Sequence, residues 1–460
     1  MKELARQKRI RLTSSQLIPL SFLGAIFLGT ILLMLPAATV SGEKTDLTTA
    51  FFTSTTSFCV TGLVVVDTFA HWTLFGKIVI LCMIQLGGLG IITTVSALMY
   101  MLHKRVSLGQ VMMIHDSFNQ NSLSGLLRFL IGVLKGTFLI EGIGAVLYAI
   151  AFIPEFGTGK GIWYAVFTSI SAFCNAGIDI IGPDSLIGYQ SNVLVMVTTM
   201  LLIVLGGLGY VVWFDLVKGT KEGIRKRRGP VYVLRHVSEH SRLVLSLTLL
   251  LILSGAALIF ILERNNPETM KHMSTGDKLL NSLFQSITFR TAGFASVPQQ
   301  GLQENTCFVG LLYMFIGGSP VGTAGGVKTV TVFILFLNMV AFVRNRNEAV
   351  VFRYRISGDL IRKASAIVIV SITVTFILTL LLMSVDHVKL VDGTYEMFSA
   401  TATVGLSRGL TPGLSTGGRW LVILAMYLGR IGPISMGLFF TGGYKEKNSI
   451  HYARGEFFVG

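Results

Sequence analysis

Four short stretches of this chain repeat one pattern: residues 56–63 (TSFCVTGL), 171–178 (SAFCNAGI), 287–294 (ITFRTAGF) and 399–406 (SATATVGL). Each closes on a small or β-branched residue, a glycine and an apolar residue. The glycines Gly62, Gly177, Gly293 and Gly405 stand 115, 116 and 112 residues apart. The chemistry on offer is that of backbone oxygen. A dehydrated cation the size of potassium needs about eight oxygen ligands, and rings of main-chain carbonyls supply them. Glycine tolerates the backbone angles that turn such carbonyls inward. The candidate ligands are therefore Val60, Thr61 and Gly62, then Asn175, Ala176 and Gly177, then Thr291, Ala292 and Gly293, then Thr403, Val404 and Gly405. Potassium is expected at Val60, Asn175, Thr291, Thr403 and the four glycines. Only glycine is common to all four stretches, so the ring should be less regular than one built from four identical chains. A short element recurring at near-constant spacing points to four copies about one axis.

Composition says where that axis stands. The 460 residues are 52% hydrophobic and only 13% charged, with a mean hydropathy of +0.68. An ordinary soluble domain is excluded, and a polytopic helical membrane protein is indicated. The net charge of +15 would suggest nucleic acid in a soluble protein, but here the basic residues collect between apolar runs. They read as topology signals, and no nucleic-acid partner is expected. The four cysteines, Cys59, Cys82, Cys174 and Cys307, lack metal-ligand spacing and read as reduced apolar fillers. The basic N-terminus followed by an apolar run imitates a secretory signal. Since the other three glycine elements are each preceded by an apolar helix, the first run is expected to stay.

Three parts must position each glycine: a long apolar run, a shorter semi-polar run ending near the glycine, and a second long apolar run. They cover residues 16–36, 46–59 and 72–102; 126–153, 161–174 and 191–217; 243–262, 277–290 and 307–343; and 361–383, 392–402 and 419–440. The outer runs have about the 20 residues that a spanning helix needs. The middle runs are too short to span, and re-entrant segments survive at membrane depth only inside protein or beside water. The expected fold is an all-α polytopic membrane protein of four helix–pore-loop–helix repeats. It has eight transmembrane helices and four re-entrant pore helices, with pseudo-fourfold symmetry around one pore. The divisions are a cytoplasmic N-terminus (1–15), repeats at 16–110, 111–225, 226–350 and 351–445, and a C-terminal tail (446–460).

Asp46 and Asp277 each lie 16 residues before their glycine, where an acid suits a helix N-terminus. The negative C-terminal end of each short helix would then face the centre, where a cation rests. Basic stretches at 2–12, 218–242 and 344–363, with Lys445 and Lys447, fall on one side. Loops around Glu43, Glu155, 263–277 and 386–392 are more acidic. Both termini are thus expected in the cytoplasm, with the glycine elements opening outward.

These four glycine elements, their spacing and the interrupted run in the third repeat resemble the Trk/Ktr/HKT superfamily over nearly the whole chain. Within it the chain is similar to the membrane subunit of a bacterial Ktr-type potassium uptake system. The resemblance implies a channel-like potassium pore in the plasma membrane and a homodimer with one pore per protomer. It also implies a cytosolic ring of nucleotide-binding RCK domains as regulator. The chain itself carries no Walker or Rossmann fingerprint, so no organic cofactor and no enzymatic activity are expected. Potassium is the expected bound ion, with sodium as the second candidate, and lipids are the expected surroundings. In the family, glycine at all four positions goes with potassium preference and serine at the first with sodium, so Gly62 argues for potassium. Two alternatives remain open: a sodium-coupled or sodium-selective transporter of the same fold (a symporter), and the membrane subunit of an ATP-driven pump.

As one helix, residues 307–343 would run roughly 55 Å at about 1.5 Å per residue. They are interrupted by residues 317–326 (GGSPVGTAGG). Pro320 removes a donor, and Gly317, Gly318, Gly322, Gly325 and Gly326 free the backbone around Ser319 and Thr323. An unwound loop just inside the filter is expected, and the resemblance makes it the gate. Gly87, Gly88, Gly206, Gly207 and Gly429 occupy matching places in the other inner runs. Arg430, an intramembrane cation without a nearby acid in sequence, is a functional candidate. The resemblance has it hydrogen-bonding the gate loop. Arg290 is expected behind the filter, donating to carbonyls at the pore-helix end. Glu141 is expected in a structural hydrogen bond or ion pair inside the bundle. The apolar end around Phe457 and Phe458 is expected at the dimer interface.

Overall fold

The computed structural model describes residues 14–90, 126–227, 229, 232 and 236–432. The N-terminal basic stretch, residues 91–102 of the first inner run, the end of the last inner run, Lys445, Lys447 and the tail at 446–460 lie outside the described residues.

Long helices alternate with short ones. The first group is α1 (Ser14–Leu33), α2 (Leu47–Cys59), the single turn α3 (Thr68–His71) and α4 (Leu74–Leu89). The second is α5 (Leu126–Phe156), α6 (Thr158–Cys174) and α7 (Val193–Gly207), continued by α8 (Tyr210–Arg225). The third is α9 (Glu239–Glu263), α10 (Thr275–Thr288) and α11 (Glu304–Phe315), continued by α12 (Thr329–Val343). The fourth is α13 (Gly358–Asp386), α14 (Leu390–Thr401) and α15 (Thr416–Ile431). In each group the long first helix packs on the short one, which is held in turn by the inner helix of its own group or of a neighbour.

Local sequence explains the starts. Asp46 caps α2 by accepting from the N–H groups of Thr48 and Thr49 at 3.0 and 3.3 Å. At α10 the expectation shifts by one turn. Ser274 is the cap, accepting from Asp277 N–H at 3.1 Å, and its hydroxyl donates to the Asp277 carboxylate at 2.8 Å. Asp277 therefore stabilises the first turn from inside the helix.

Among the described residues three helices are long and apolar enough to cross a membrane: 129–156 within α5, α9 and α13. Their outward faces carry bare leucines and isoleucines, such as Leu250 and Ile369 at 60% and 62% exposure. Such faces belong in lipid, and the chain is a multi-pass membrane protein. The inner runs are not continuous. α4 stops before Gly90 (φ 82), α7 before Gly209 (φ 86) and α15 before Gly432 (φ 88). Between α7 and α8 the chain turns by 100°, so the run expected at 191–217 is two helices with a corner. Left-handed glycine ends a helix without a Cβ penalty. One hairpin departs from the all-α expectation: Val350–Val351 pairs with Tyr354–Arg355. Its central residues Phe352 and Arg353 both have positive φ, the geometry of a tight two-residue turn.

Candidate ion pathway

The short helices α2, α6, α10 and α14 end where the chain turns left-handed. Val60, Asn175, Thr291 and Thr403 have φ of 56, 60, 65 and 53°, and the glycines two residues later have 101, 65, 80 and 93°. A left-handed non-glycine costs about 1–2 kcal/mol, and a β-branched one is a clear outlier. Four at the same register mean that the position demands it. The amides between them are spent backwards. Thr61 N–H donates to Thr56 O at 2.9 Å, Ala176 to Ser171 at 2.8 Å, Ala292 to Thr288 at 3.1 Å and Val404 to Ser399 at 2.8 Å. The hydroxyls of Thr56 and Ser399 also accept from the N–H groups of Gly62 and Gly405, each at 3.0 Å.

The four glycines meet. A Cβ on Gly62 would lie 2.5 Å from Ala176 O, one on Gly177 2.7 Å from Ala292 O, and one on Gly293 2.6 Å from Val404 O. One on Gly405 would fall on Thr61 O. Each glycine therefore abuts the carbonyl of the residue before the next glycine, and the sequence of contacts closes on itself. All the flanking side chains are buried, and the hydroxyls of Thr61, Thr291 and Thr403 have no partner among the described residues.

The inner helices reach this ring through glycine. A Cβ on Gly87, Gly206 or Gly429 would land on the carbonyl of Phe58, Phe173 or Thr401. Each of those residues lies four before its ring glycine. The glycines at these matching places thus have a specific cause, a helix pressed onto the carbonyl end of a short helix.

In the third group a loop takes that place. The break runs from Ile316 to Lys328, slightly wider than 317–326. Its base is closed by Gly317 N–H to Val327 O at 2.9 Å and Val327 N–H to Phe315 O at 3.3 Å. Its middle rests on the α7–α8 corner. Ser319 N–H donates to Gly207 O at 2.9 Å, Thr323 N–H to Gly206 O at 3.1 Å, and Tyr210 N–H to Val321 O at 2.9 Å. The Thr323 hydroxyl donates to Phe173 O at 3.1 Å. Gly325 touches Thr403 and Ala402, so that a Cβ there would strike the Thr403 hydroxyl. Pro320 lies in the same loop, with its carbonyl against Gly209, and Gly318 and Gly322 pack on Gly207 and Gly206. Gly326 (φ 65) completes the turn beside Gly317.

Arg430 comes to this loop from α15. One guanidinium nitrogen donates to Thr323 O at 2.6 Å and the other to Gly87 O at 2.6 Å. Lys328 was passed over by sequence reasoning, although a lysine flanked by apolar segments is the available signal. Its Nζ donates to Ala324 O at 2.7 Å. Lys328 and Arg430 line a cavity of about 300 Å³ bounded by the loop and by the ends of α4 and α15.

Arg290 departs from expectation. It is 8% exposed, and among the described residues its side chain donates to the Thr329 hydroxyl at 3.4 Å, not to a carbonyl at a pore-helix end. Glu141 is in a hydrogen-bonded site, with no ion-pair partner among the described residues. It is 4% exposed and accepts from Gln85 Nε2 at 3.1 and 3.3 Å. The Cys174 thiol lies at 3.9 Å. Glu141→Ala strands the Gln85 amide and should lower unfolding stability in detergent by about 1–3 kcal/mol. Glu141→Gln, which can still accept, should unfold close to wild type. Equal melting of the two variants would count against a structural role.

The model of the family described as TrkH, cation transport protein, matches residues 8–451. The Ktr system potassium uptake protein B of Bacillus subtilis is 35% identical over 457 residues, covering 98% of each chain. The potassium/sodium uptake protein NtpJ of Enterococcus hirae is 35% identical over 440 residues, covering 95% of this chain and 94% of that one. The crystal structure of the potassium transporter TrkH from Vibrio parahaemolyticus superposes with a TM-score of 0.73 at 16% identity, covering 96% and 88%. That structural match speaks to the fold, and the family match and the sequence relatives to descent. Together they make the chain a member of the TrkH family of cation transport proteins.

Proposed function

We propose that this chain is the potassium-conducting membrane subunit of a Ktr-type uptake system. The observation that carries the reading is the closed ring in which each glycine abuts the carbonyl preceding the next. Carbonyls so placed replace the hydration shell of a bare cation. The C-terminal ends of four short helices add negative potential from behind. The ligands are the carbonyls at Val60, Thr61, Gly62, Asn175, Ala176, Gly177, Thr291, Ala292, Gly293, Thr403, Val404 and Gly405. The loop at 316–328 is the gate, held by Arg430. Four repeats with eight membrane crossings, some made of broken helices, surround the pore, and both termini are cytoplasmic. Two protomers assemble, and a cytosolic ring of RCK domains moves the loop when its nucleotide changes.

The test is tracer rubidium uptake into liposomes that carry the purified chain, with potassium or sodium as competitor. Competition by potassium well below the sodium concentration required supports the reading. The relative from Enterococcus hirae has both ions in its name, and equal competition would favour that broader specificity. Absence of any cation flux, with and without the cytosolic partner, would sink the reading.

A further inference from the structure

The position three residues before each ring glycine is occupied by Cys59, Cys174, Arg290 and Ala402. Three of these are small and uncharged. At Cys174 the reason is visible, since its sulfur packs directly on Gly88 of α4. The one charged member stands in the group whose inner helix is replaced by a loop. Arg290 has no carboxylate partner among the described residues, whose ion pairs use Arg355, Arg362 and Arg408. Its Nε is buried without a partner among the described residues. A burial this incompletely satisfied is expensive, so the hydrogen bond its side chain makes among the described residues is informative.

That contact is the Thr329 hydroxyl, at 3.4 Å. Thr329 is 2% exposed and is the first residue of α12. Its hydroxyl donates to Gly317 O at 2.8 Å, and its N–H donates to Gly318 O at 3.0 Å. Thr329 therefore clamps both residues through which the chain leaves α11. A threonine hydroxyl has one proton and two lone pairs. When Arg290 donates to the oxygen, the single proton is left to point at Gly317. Arg430 holds the same loop elsewhere, at Thr323 O.

We infer that Arg290 is a positioning residue that latches the base of the loop to the third ring segment through Thr329. Two guanidinium groups thus hold the loop, Arg430 at its middle and Arg290 at its root. This rests on the reading of residues 316–328 as a gate. Opening must release the root as well as the middle, and the root is the place where the third ring segment holds the loop.

The experiment is rubidium flux into liposomes containing the full chain without its cytosolic partner, at matched protein density. The variants are Arg290→Gln, Thr329→Val, their combination, Thr329→Ser and Arg430→Ala. Loss of the latch should raise flux about three- to tenfold for Arg290→Gln and for Thr329→Val. The pair should not exceed Thr329→Val, because Arg290 reaches the loop only through the hydroxyl that this variant already removes, together with that hydroxyl's own bond to Gly317. Thr329→Ser keeps the hydroxyl and should match wild type. A purely structural role would lower flux through misfolding and would not be rescued by serine. Additive effects, or flux unchanged in both single variants while Arg430→Ala conducts faster, overturn the latch and leave the gate intact. Unchanged flux in all the variants, Arg430→Ala included, overturns the gate reading itself. If Arg290→Gln does not accumulate in membranes, Arg290→Lys takes its place in the same cycle, judged by the same criteria.

Discussion

Gly405→Ser should abolish potassium-preferring uptake while leaving the protein folded in the membrane. A Cβ at Gly405 falls on Thr61 O and lies 2.8 Å from Gly62 Cα, and the residue has φ 93°. Both contacts are backbone, so no side chain can move away to relieve them. Residues forced into such backbone regions cost about 1–3 kcal/mol, which is about a 5–150-fold change in any equilibrium that the strain opposes. That cost lands on two of the four segments proposed to hold the ion. Gly62→Ser meets Ala176 O at 2.5 Å with φ 101°, and should lose preference for potassium over sodium by about tenfold or more on the same reasoning. Gly413→Ser is the internal control. It lies outside the ring with nothing within 4 Å of its Cβ, and should transport as wild type. The measurement is uptake at graded potassium and sodium, with surface expression checked for each variant. Unchanged preference in Gly405→Ser and Gly62→Ser would remove the ring from the ion path.

Arg430→Ala should make the pore conduct without its cytosolic partner. Two donations at 2.6 Å, to Thr323 O and to Gly87 O, join the loop to the end of α4. A hydrogen bond from a charged group contributes about 1.5–3 kcal/mol. The released carbonyls border the cavity of about 300 Å³, where water can satisfy them in part. A net loss near the lower figure shifts a closed-favoured equilibrium about tenfold toward open. Arg430→Lys keeps the charge but loses the planar fork that serves two acceptors at once, so its flux should fall between alanine and wild type. Selectivity should stay, because the ring is not touched by Arg430. Partner-free liposome flux, with a folded protein verified by size-exclusion profile, decides it. No rise in Arg430→Ala would mean that the loop is a fixed part of the wall.

Much of this arrangement is written in local sequence. Runs of about 20 apolar residues specify helices in lipid whatever they pack against. Asp46 caps α2 two and three residues away. Five glycines and Pro320 within residues 317–326 forbid a helix by composition alone, and the chain there is unwound. The four glycine elements were legible because each is a contiguous motif that recurs at nearly constant spacing. The inner-helix breaks at Gly90, Gly209 and Gly432 were not read, because membrane helices tolerate glycine and nothing local separates a tolerated glycine from a left-handed stop. Only the tertiary structure decided which carbonyl each ring glycine meets, and that Gly87, Gly206 and Gly429 are needed where three helices press onto carbonyl ends. It alone gave Arg430 an acceptor 343 residues away in Gly87, and sent Arg290 to Thr329 instead of to its own helix end. The reason is one of range. Caps, turns and apolar periodicity are set by neighbours in sequence. The partners of a buried guanidinium depend on where whole helices come to rest, and those positions are settled by the packing of every segment at once.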